Sequence, residues 1–403
     1  YNGYLSPDQV IGGWRRYSNK DLNKNVLFSY GWGDGGGGPT RDMLEHGRRM
    51  EKGIPGCPTL KQEFARDFFD RLASEVKDSD RLPVWAGELY LEFHRGTLTA
   101  QSRNKKYNRK SEYLYQDAET LGVLAELLAS KEYPSDKLLA GWKLILLNQF
   151  HDIIPGSSIA AVYEDSKEQY ELVAKEGAEM VNESESAVAS LINADGRIIV
   201  VFNTLGFVRS SVVIADTPEK REFHIEDMDG NVMLSQITYD GKLAFFAADV
   251  PAKGYKTFRI VDSAVESADS VKSGNNEFSN DYYTVKFDGN MNIASYYDKS
   301  ADRCVSKEND VLGRLIAYED RPHNHEAWDI KCYYGEKYWN IDNVDNSEIV
   351  EHGAVRTVLK VDRTFNKSHI TQYYVFYPHT ARIDIFYDVD WQEKRIALKA
   401  DYP

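Results

Sequence analysis

Asn193-Ala194-Asp195-Gly196-Arg197-Ile198-Ile199-Val200-Val201-Phe202 marks a change of period in the chain. Before it, apolar residues recur at the helical spacing of about 3.6; after it they follow the strand spacing of about 2. The Asp-Gly turn chemistry between the two regimes reads as a domain boundary. Upstream, Leu114, Ala118, Leu121, Leu124, Leu127 and Leu128 make one apolar stripe. Leu138, Trp142, Leu144, Ile145, Leu146, Leu147 and Phe150 make a second, and such stripes predict amphipathic helices. After the break at Pro155-Gly156, Ser158 can cap a third long helix reaching Leu191. Three helices with short joins over residues 111–190 predict a bundle. Between Leu82 and Lys110 the period is poor and the polar content high, which reads as an extended segment and loops.

Downstream, 198–202, 211–214, 243–246 and 255–260 are strand-like runs separated by turn residues, so 197–261 reads as a small β-sandwich. A stretch rich in Ser, Asp and Gly, residues 262–276, reads as a linker. Beyond it, 282–287, 355–361, 370–377 and 383–389 alternate as strands of a second β region. Leu398 to Pro403 carries no closing turn pattern, which suggests a strand still running at the end of the chain.

Toward the amino terminus, Pro7 to Tyr17 reads as a short amphipathic helix and Asn25 to Tyr30 as a strand. That strand runs into Gly31-Trp32-Gly33-Asp34-Gly35-Gly36-Gly37-Gly38-Pro39-Thr40. Thr40 or Asp42 can then cap a helix through Met50, with Glu45 completing a capping box, and another helix follows over about 60–75. Strand, glycine loop and helix in that order predict an α/β layer, in which ligands sit at the carboxyl ends of strands.

Composition narrows the function classes. A formal charge of −14 gives no global attraction for nucleic acid or anionic lipid. No run approaches the roughly 20 apolar residues of a membrane span, and the first residues show no signal peptide pattern. Cys57, Cys304 and Cys332 are too few and too far apart for a disulfide framework or a metal clip. They point to reduced thiols and a cytoplasmic protein.

Three stretches could carry chemistry. Consecutive glycines after Asp34 suggest close backbone approach or positive φ: either a flexible loop or a carboxylate presented at a strand end with room for a ligand. The sequence lacks the Lys-Ser/Thr of a phosphate cradle there. His151-Asp152, at the end of an apolar helix, can bind a metal or a polyol hydroxyl, or the His can simply answer the helix dipole. No second His lies three or four residues away. In Glu88 to Thr99, alternating Glu88, Tyr90, Glu92 and His94 could share one strand face, and Arg95 with Thr97 could line a polar pocket unless Arg95 is a surface ion pair. The aromatic content of 12% fits sugar binding and β cores alike.

Tyr30–Thr40, Glu88–Thr97 and Asn148–Ser158 together resemble three landmarks of the glycoside hydrolase family 38 α-mannosidases, in the order found in the branch with bacterial and cytosolic members. Asn309, Leu315, Glu319-Asp320 and Trp328-Asp329-Ile330 are similar to that branch's β region. The resemblance implies a metal-dependent, retaining, exo-acting hydrolase of α-mannosidic bonds in oligosaccharides. It implies His151 as a ligand of a divalent metal, normally zinc, Asp152 as a contact to mannose hydroxyls with Arg95 and Thr97 nearby, and Asp34 as the acid/base. The family's early HxD motif and its nucleophilic Asp have no counterpart here. The expectation is therefore a fragment lacking the amino-terminal part of the catalytic domain, inactive by itself, of a parent that could form homo-oligomers. The competing reading is a noncatalytic carbohydrate-binding or scaffold module. The expected fold is multidomain α+β: the end of an α/β barrel-like catalytic domain over 1–80, a three-helix bundle with active-site loops over 81–192, a small β-sandwich over 193–262, and the start of a large, truncated, mutarotase-like β-sandwich over 275–403.

Overall fold

The computed structural model describes residues 2–87, 94–218, 222–263, 271–274, 276–307 and 310–403. The chain divides into two compact units, Tyr1–Leu89 and Tyr90–Pro403. The first carries helices α1 (Pro7–Arg16), α2 (Arg41–Glu51) and α3 (Ala65–Val76). Ser6 caps α1 and Thr40, rather than Asp42, caps α2, with Met43 at the third helical position. Leu5, Val10, Met43 and Met50 form its small core, flanked by Phe28 and Tyr30.

The expected α/β layer is corrected here. Among the described residues of this unit there is no strand, and Asn25–Tyr30 is paired only through one parallel bridge from Tyr30 to Gly3. A strand needs a neighbour along its length to satisfy its backbone groups. Without one, the β-prone side chains Val26 and Leu27 stay well exposed. Among the described residues the architecture is a helical region of six α-helices followed by antiparallel sheets, none of which closes into a barrel.

The second unit opens with α4 (Ser102–Ala129), α5 (Ser135–Asn148) and α6 (Ala160–Ala189). Helix α4 begins in a segment whose sequence reads as loop. Its first turns are polar because Asn104 and Asn108 face α5 and α6 through hydrogen bonds: Ser166 Oγ donates to Asn104 Oδ1 at 2.6 Å, and Gln149 Nε2 to Asn108 Oδ1 at 3.0 Å. At the far end Lys131 meets Glu183. Helices α4 and α6 therefore run parallel, with α5 returning between them. Tyr115, Ala118, Leu138, Ile145, Val173 and Met180 fill the interior. Gly141 and Gly177 flank the Tyr115 ring so closely that a Cβ on Gly141 would sit 1.9 Å from the phenol oxygen.

Helix α6 ends just before the period change, and strand Arg197–Asn203 begins the sheets. Four strands (Arg197–Asn203, Gly254–Val261, His224–Asp227, Val232–Met233) and three strands (Arg209–Ala215, Leu243–Val250, Ser235–Ile237) share a core of Ile225, Leu243, Phe245, Val250 and Phe258. Further on, a five-stranded sheet centred on Tyr283–Phe287 and a four-stranded sheet running from Asn346–His352 to Ile383–Asp390 enclose Phe278, Tyr283, Val361, Tyr374 and Phe376. The terminal strand Ile396–Asp401 pairs with Arg314–Glu319. Every paired strand is antiparallel.

Two polar fixtures hold these sheets. Arg363 is buried, and its guanidinium donates to the carbonyls of Ile341, Asn343, Asn290 and Met291 and to Gln372 Oε1. The other joins the earlier β region to the later one. Buried Glu351 accepts from Arg356 Nε at 2.7 Å and from Gln236 Nε2 at 2.6 Å, while Gln236 Oε1 accepts from the amides of Val355 and Arg356.

Candidate functional site

In the first unit, the glycine loop folds back on itself. The Trp32 carbonyl accepts from the amides of Gly35 and Gly37 at 3.1 and 2.7 Å, and Gly36 takes φ +68° with nothing within 4 Å of where a Cβ would stand. Asp34 is exposed at its tip. The Asn2 side chain holds it on both sides: Asn2 Nδ2 donates to Asp34 Oδ2 at 3.0 Å, and the Asp34 amide donates to Asn2 Oδ1 at 2.9 Å. The loop is a carboxylate on an open, glycine-lined surface.

In the second unit, the parallel run of α4 and α6 with α5 between them puts the start of α4, the end of α5 and the start of α6 at one end of the helices. Residues 149–159 must therefore turn beside 94–101. Gly156 makes the turn at φ +90°, where a Cβ would stand 2.7 Å from the Ala100 carbonyl oxygen. Lys105 Nζ donates to that same carbonyl and to the Ile154 carbonyl at 2.8 Å, and burial pushes its ammonium pKa below the usual lysine range. The Tyr163 hydroxyl donates to Ile153 O at 3.2 Å and accepts from the Ser158 amide at 3.0 Å. Ser158, expected to cap α6, instead donates its hydroxyl to the Asp152 carbonyl at 2.5 Å, and α6 starts after Ile159 with no side-chain cap.

On this pinned loop His151 and Asp152 face solvent, with side chains 80% and 53% exposed and Nε2 3.4 Å from Asp152 Oδ2. The His151 ring lies 4.3 Å from that of Phe150. Among the described residues no group of three or more His, Cys, Asp or Glu converges as a metal ion would need. Protein zinc takes about four donors, so the donors described here do not fit a zinc shell by themselves.

The turn that precedes α4 is held from the β region. Thr97 Oγ1 donates to the His94 carbonyl at 2.6 Å, and the Gly96 amide donates to the Trp328 carbonyl at 2.8 Å. The Trp328 indole stacks between His94 and His325, each ring centroid 4.9 Å away. A Cβ on Gly96 would meet the Asp329 amide nitrogen at 3.0 Å. Buried Asp329 pairs with Lys331. Arg95 is exposed and Thr97 half-buried beside it. The backbone following Arg95 and Thr97 thus meets the backbone following His151 and Asp152, at Ala100 and Gly156. Asp34 belongs to the other unit. The expected strand face of Glu88, Tyr90 and Glu92, and Asn309, lie outside the described residues.

Sequence reasoning missed Asn2, Lys105 and His325. Asn2 acts through Asp34, 32 residues away, and His325 stacks on a Trp328 whose other face meets His94 from far earlier in the chain, so no local pattern marks either. Lys105 sat in a stretch too polar to read as helix.

Sequence profiles match residues 1–88 as the glycosyl hydrolases family 38 N-terminal domain, 92–188 as the alpha mannosidase middle domain and 278–403 as the family 38 C-terminal domain. The first match corrects the expectation of a chain without the family's amino-terminal part, since all three family segments are represented. Alpha-mannosidase G of Dictyostelium discoideum is 28% identical across 99% of this chain and 40% of its own length. Alpha-mannosidase 2C1 of Homo sapiens is 28% identical across 99% of the chain and 37% of its own. The chain therefore spans about two fifths of the length of these curated relatives. The crystal structure of an alpha-mannosidase from Enterococcus faecalis V583 superposes with a TM-score of 0.66 at 17% identity, over 90% of this chain and 49% of that one.

Proposed function

The chain belongs to glycosyl hydrolase family 38, and from that premise we propose that the protein containing it hydrolyses terminal α-mannosidic bonds of oligosaccharides with retention of configuration. The observation that carries the reading is the meeting of two family-like stretches, Arg95-Gly96-Thr97 and His151-Asp152, at Ala100 and Gly156. Sugar recognition there needs exposed polar groups on a backbone that does not move, and the loop supplies both. Asp152 accepts hydrogen bonds from mannose hydroxyls and Arg95 donates to the sugar, while Thr97 Oγ1, whose proton goes to the His94 carbonyl, accepts from it.

Retaining hydrolysis uses two carboxyl groups about 5 Å apart, one attacking the anomeric carbon and one protonating the glycosidic oxygen, then activating water. Asp34 takes the second role. Its glycine neighbours leave a sugar free to approach, and the paired bonds from Asn2 hold the carboxylate in place while leaving it facing solvent. Family membership is consistent with a metal-dependent reaction. His151 is the metal ligand of this reading, but no step is assigned to the ion, because the donors described here do not complete a shell. Three free cysteines support a cytoplasmic location, and no described helix is long and apolar enough to cross a membrane.

The test is Asp34→Asn in the intact protein. An amide delivers no proton, so natural disaccharides, with poor leaving groups, should lose about 1000-fold or more in kcat/KM, within the range of general-acid effects. Aryl mannosides with acidic leaving groups should lose far less, and azide should restore turnover and give a mannosyl azide of retained configuration. Equal losses on both substrates without azide rescue would remove Asp34 from the acid/base role. No hydrolysis of any mannoside by the intact wild type would favour a carbohydrate-binding module instead.

A further inference from the structure

Behind the pinned loop, the first turns of α4 and α6 face the end of strand Ile383–Asp390 across a cleft of about 890 Å³. Pockets for small ligands run to several hundred cubic ångströms, so this one has room for two or three sugar rings. The helix side presents Arg103, Lys106 and Lys167; Glu164 joins them, and Asp388 and Asp390 face them from the strand. Asp388 and Asp390 are two apart and so share one face of the strand. Among the described residues no ion pair spans the cleft. Asp390 Oδ1 accepts from the Gln392 side-chain amide beside it, and its second oxygen, Asp388, Arg103 and Lys106 keep their hydrogen-bonding capacity for a ligand.

Three cations against three carboxylates make the cleft neutral on balance, which disfavours a phosphate or a polyanion. A neutral polyol fits better, because each hydroxyl both donates, to Asp388 or Asp390, and accepts, from Arg103 or Lys106. Tyr107, Tyr163 and Tyr387 add aromatic surface among these groups. Tyr163 also ties the cleft to the candidate site, since its hydroxyl bonds the backbone of residues 153 and 158 on the loop carrying His151 and Asp152.

We propose that this cleft is a second, non-hydrolytic binding site for a neutral oligosaccharide. The choice of mannose as the sugar rests on the mannosidase reading; the site itself does not. Calorimetric titration of the 403-residue chain with an α-linked mannotriose tests it. The expected result is saturable binding that the Lys106→Gln/Asp390→Asn double variant weakens at least tenfold, with the thermal midpoint unchanged, while Asp152→Asn leaves it intact. Arg103→Gln, also exposed, serves the same purpose if the double variant unfolds. Absence of trisaccharide binding, binding undiminished in the cleft variants, loss through Asp152→Asn alone, or displacement by equimolar inorganic phosphate would each overturn the proposal. Because the titration reads binding and not turnover, retained binding beside an intact protein that hydrolyses no mannoside would sink the enzymatic reading and leave this one standing.

Discussion

The two loops that carry the candidate residues are built on opposite principles. The Asp34 loop packs lightly: a Cβ on Gly36 or Gly38 would meet empty space, and Gly35 and Gly37 turn only against Trp32. The His151 loop has one glycine at its turn, and that glycine is wedged against Ala100, with Lys105, Asn104 and Tyr163 holding the backbone on either side. Glycine count is thus a poor guide to where a backbone is tightly constrained. Within the run of four glycines Gly36 and Gly38 stand in open space, whereas the single Gly156 is in contact.

Substitution should separate the two loops most sharply. Gly156→Ala combines a left-handed backbone, costing about 1–2 kcal/mol for an L-residue, with a clash against a backbone carbonyl that cannot swing away. A total loss of about 3 kcal/mol or more in unfolding free energy is expected by denaturant titration. Gly36→Ala meets only the backbone cost, about 1 kcal/mol, and comparable losses at the two positions would break the contrast.

Lys105→Met comes next. It keeps the aliphatic stem but removes the donor shared by Ala100 and Ile154, and hydrogen bonds from charged groups are worth about 1.5–3 kcal/mol. Amide hydrogen exchange over 150–158 should speed up accordingly, with the Asp34 loop unchanged. Unaltered exchange would mean that Gly156 packing alone fixes the turn.

The smallest effect concerns acid. In the unit carrying Asp34, hydrogen bonds from Arg71 and Lys61 lower the Glu63 pKa to about 2 from an ordinary 4.5. A depressed carboxylate contributes stability above its unfolded pKa and loses it as pH falls through the folded one. Unfolding of that unit should therefore become easier between about pH 4.5 and 2, and Arg71→Met should flatten the dependence. Solvent around the Arg71 side chain, more than a third exposed, screens the pair and keeps the contribution modest, so a steep slope surviving Arg71→Met would point to other carboxylates.

What the sequence made legible follows from the range of the forces involved. Helical stripes such as Leu114, Ala118 and Leu121 are set by neighbours three and four residues away, and the turn to strands at Arg197 coincides with the end of α6. The segment Asn25–Tyr30 has strand composition, but pairing depends on a second segment that local pattern cannot supply, and it stays outside any sheet. Polar residues 102–110 were unreadable as helix because their partners, Ser166, Gln149 and Ile153, come from elsewhere in the chain. Within the site, residue types stood out in the motifs, but the meeting of Gly96 with Trp328 and of Gly156 with Ala100 required the fold.

The Gln236 fixture bears on how the molecule can be divided. The polar stretch at 262–276 looks like a natural place to cut, yet the carboxamide of Gln236 on one side is a bonding partner for Glu351, Val355 and Arg356 on the other. Gly353 has no side chain where a Cβ would come within 2.5 Å of that carboxamide oxygen. Separating the halves would open to water a carboxylate–guanidinium pair and two backbone amides shaped around a single glutamine, and Lys272–Gly274, expected to lie in a linker, is itself a strand paired with Glu277–Ser279, so the two sides share one hydrogen-bonded seam and are not interchangeable modules.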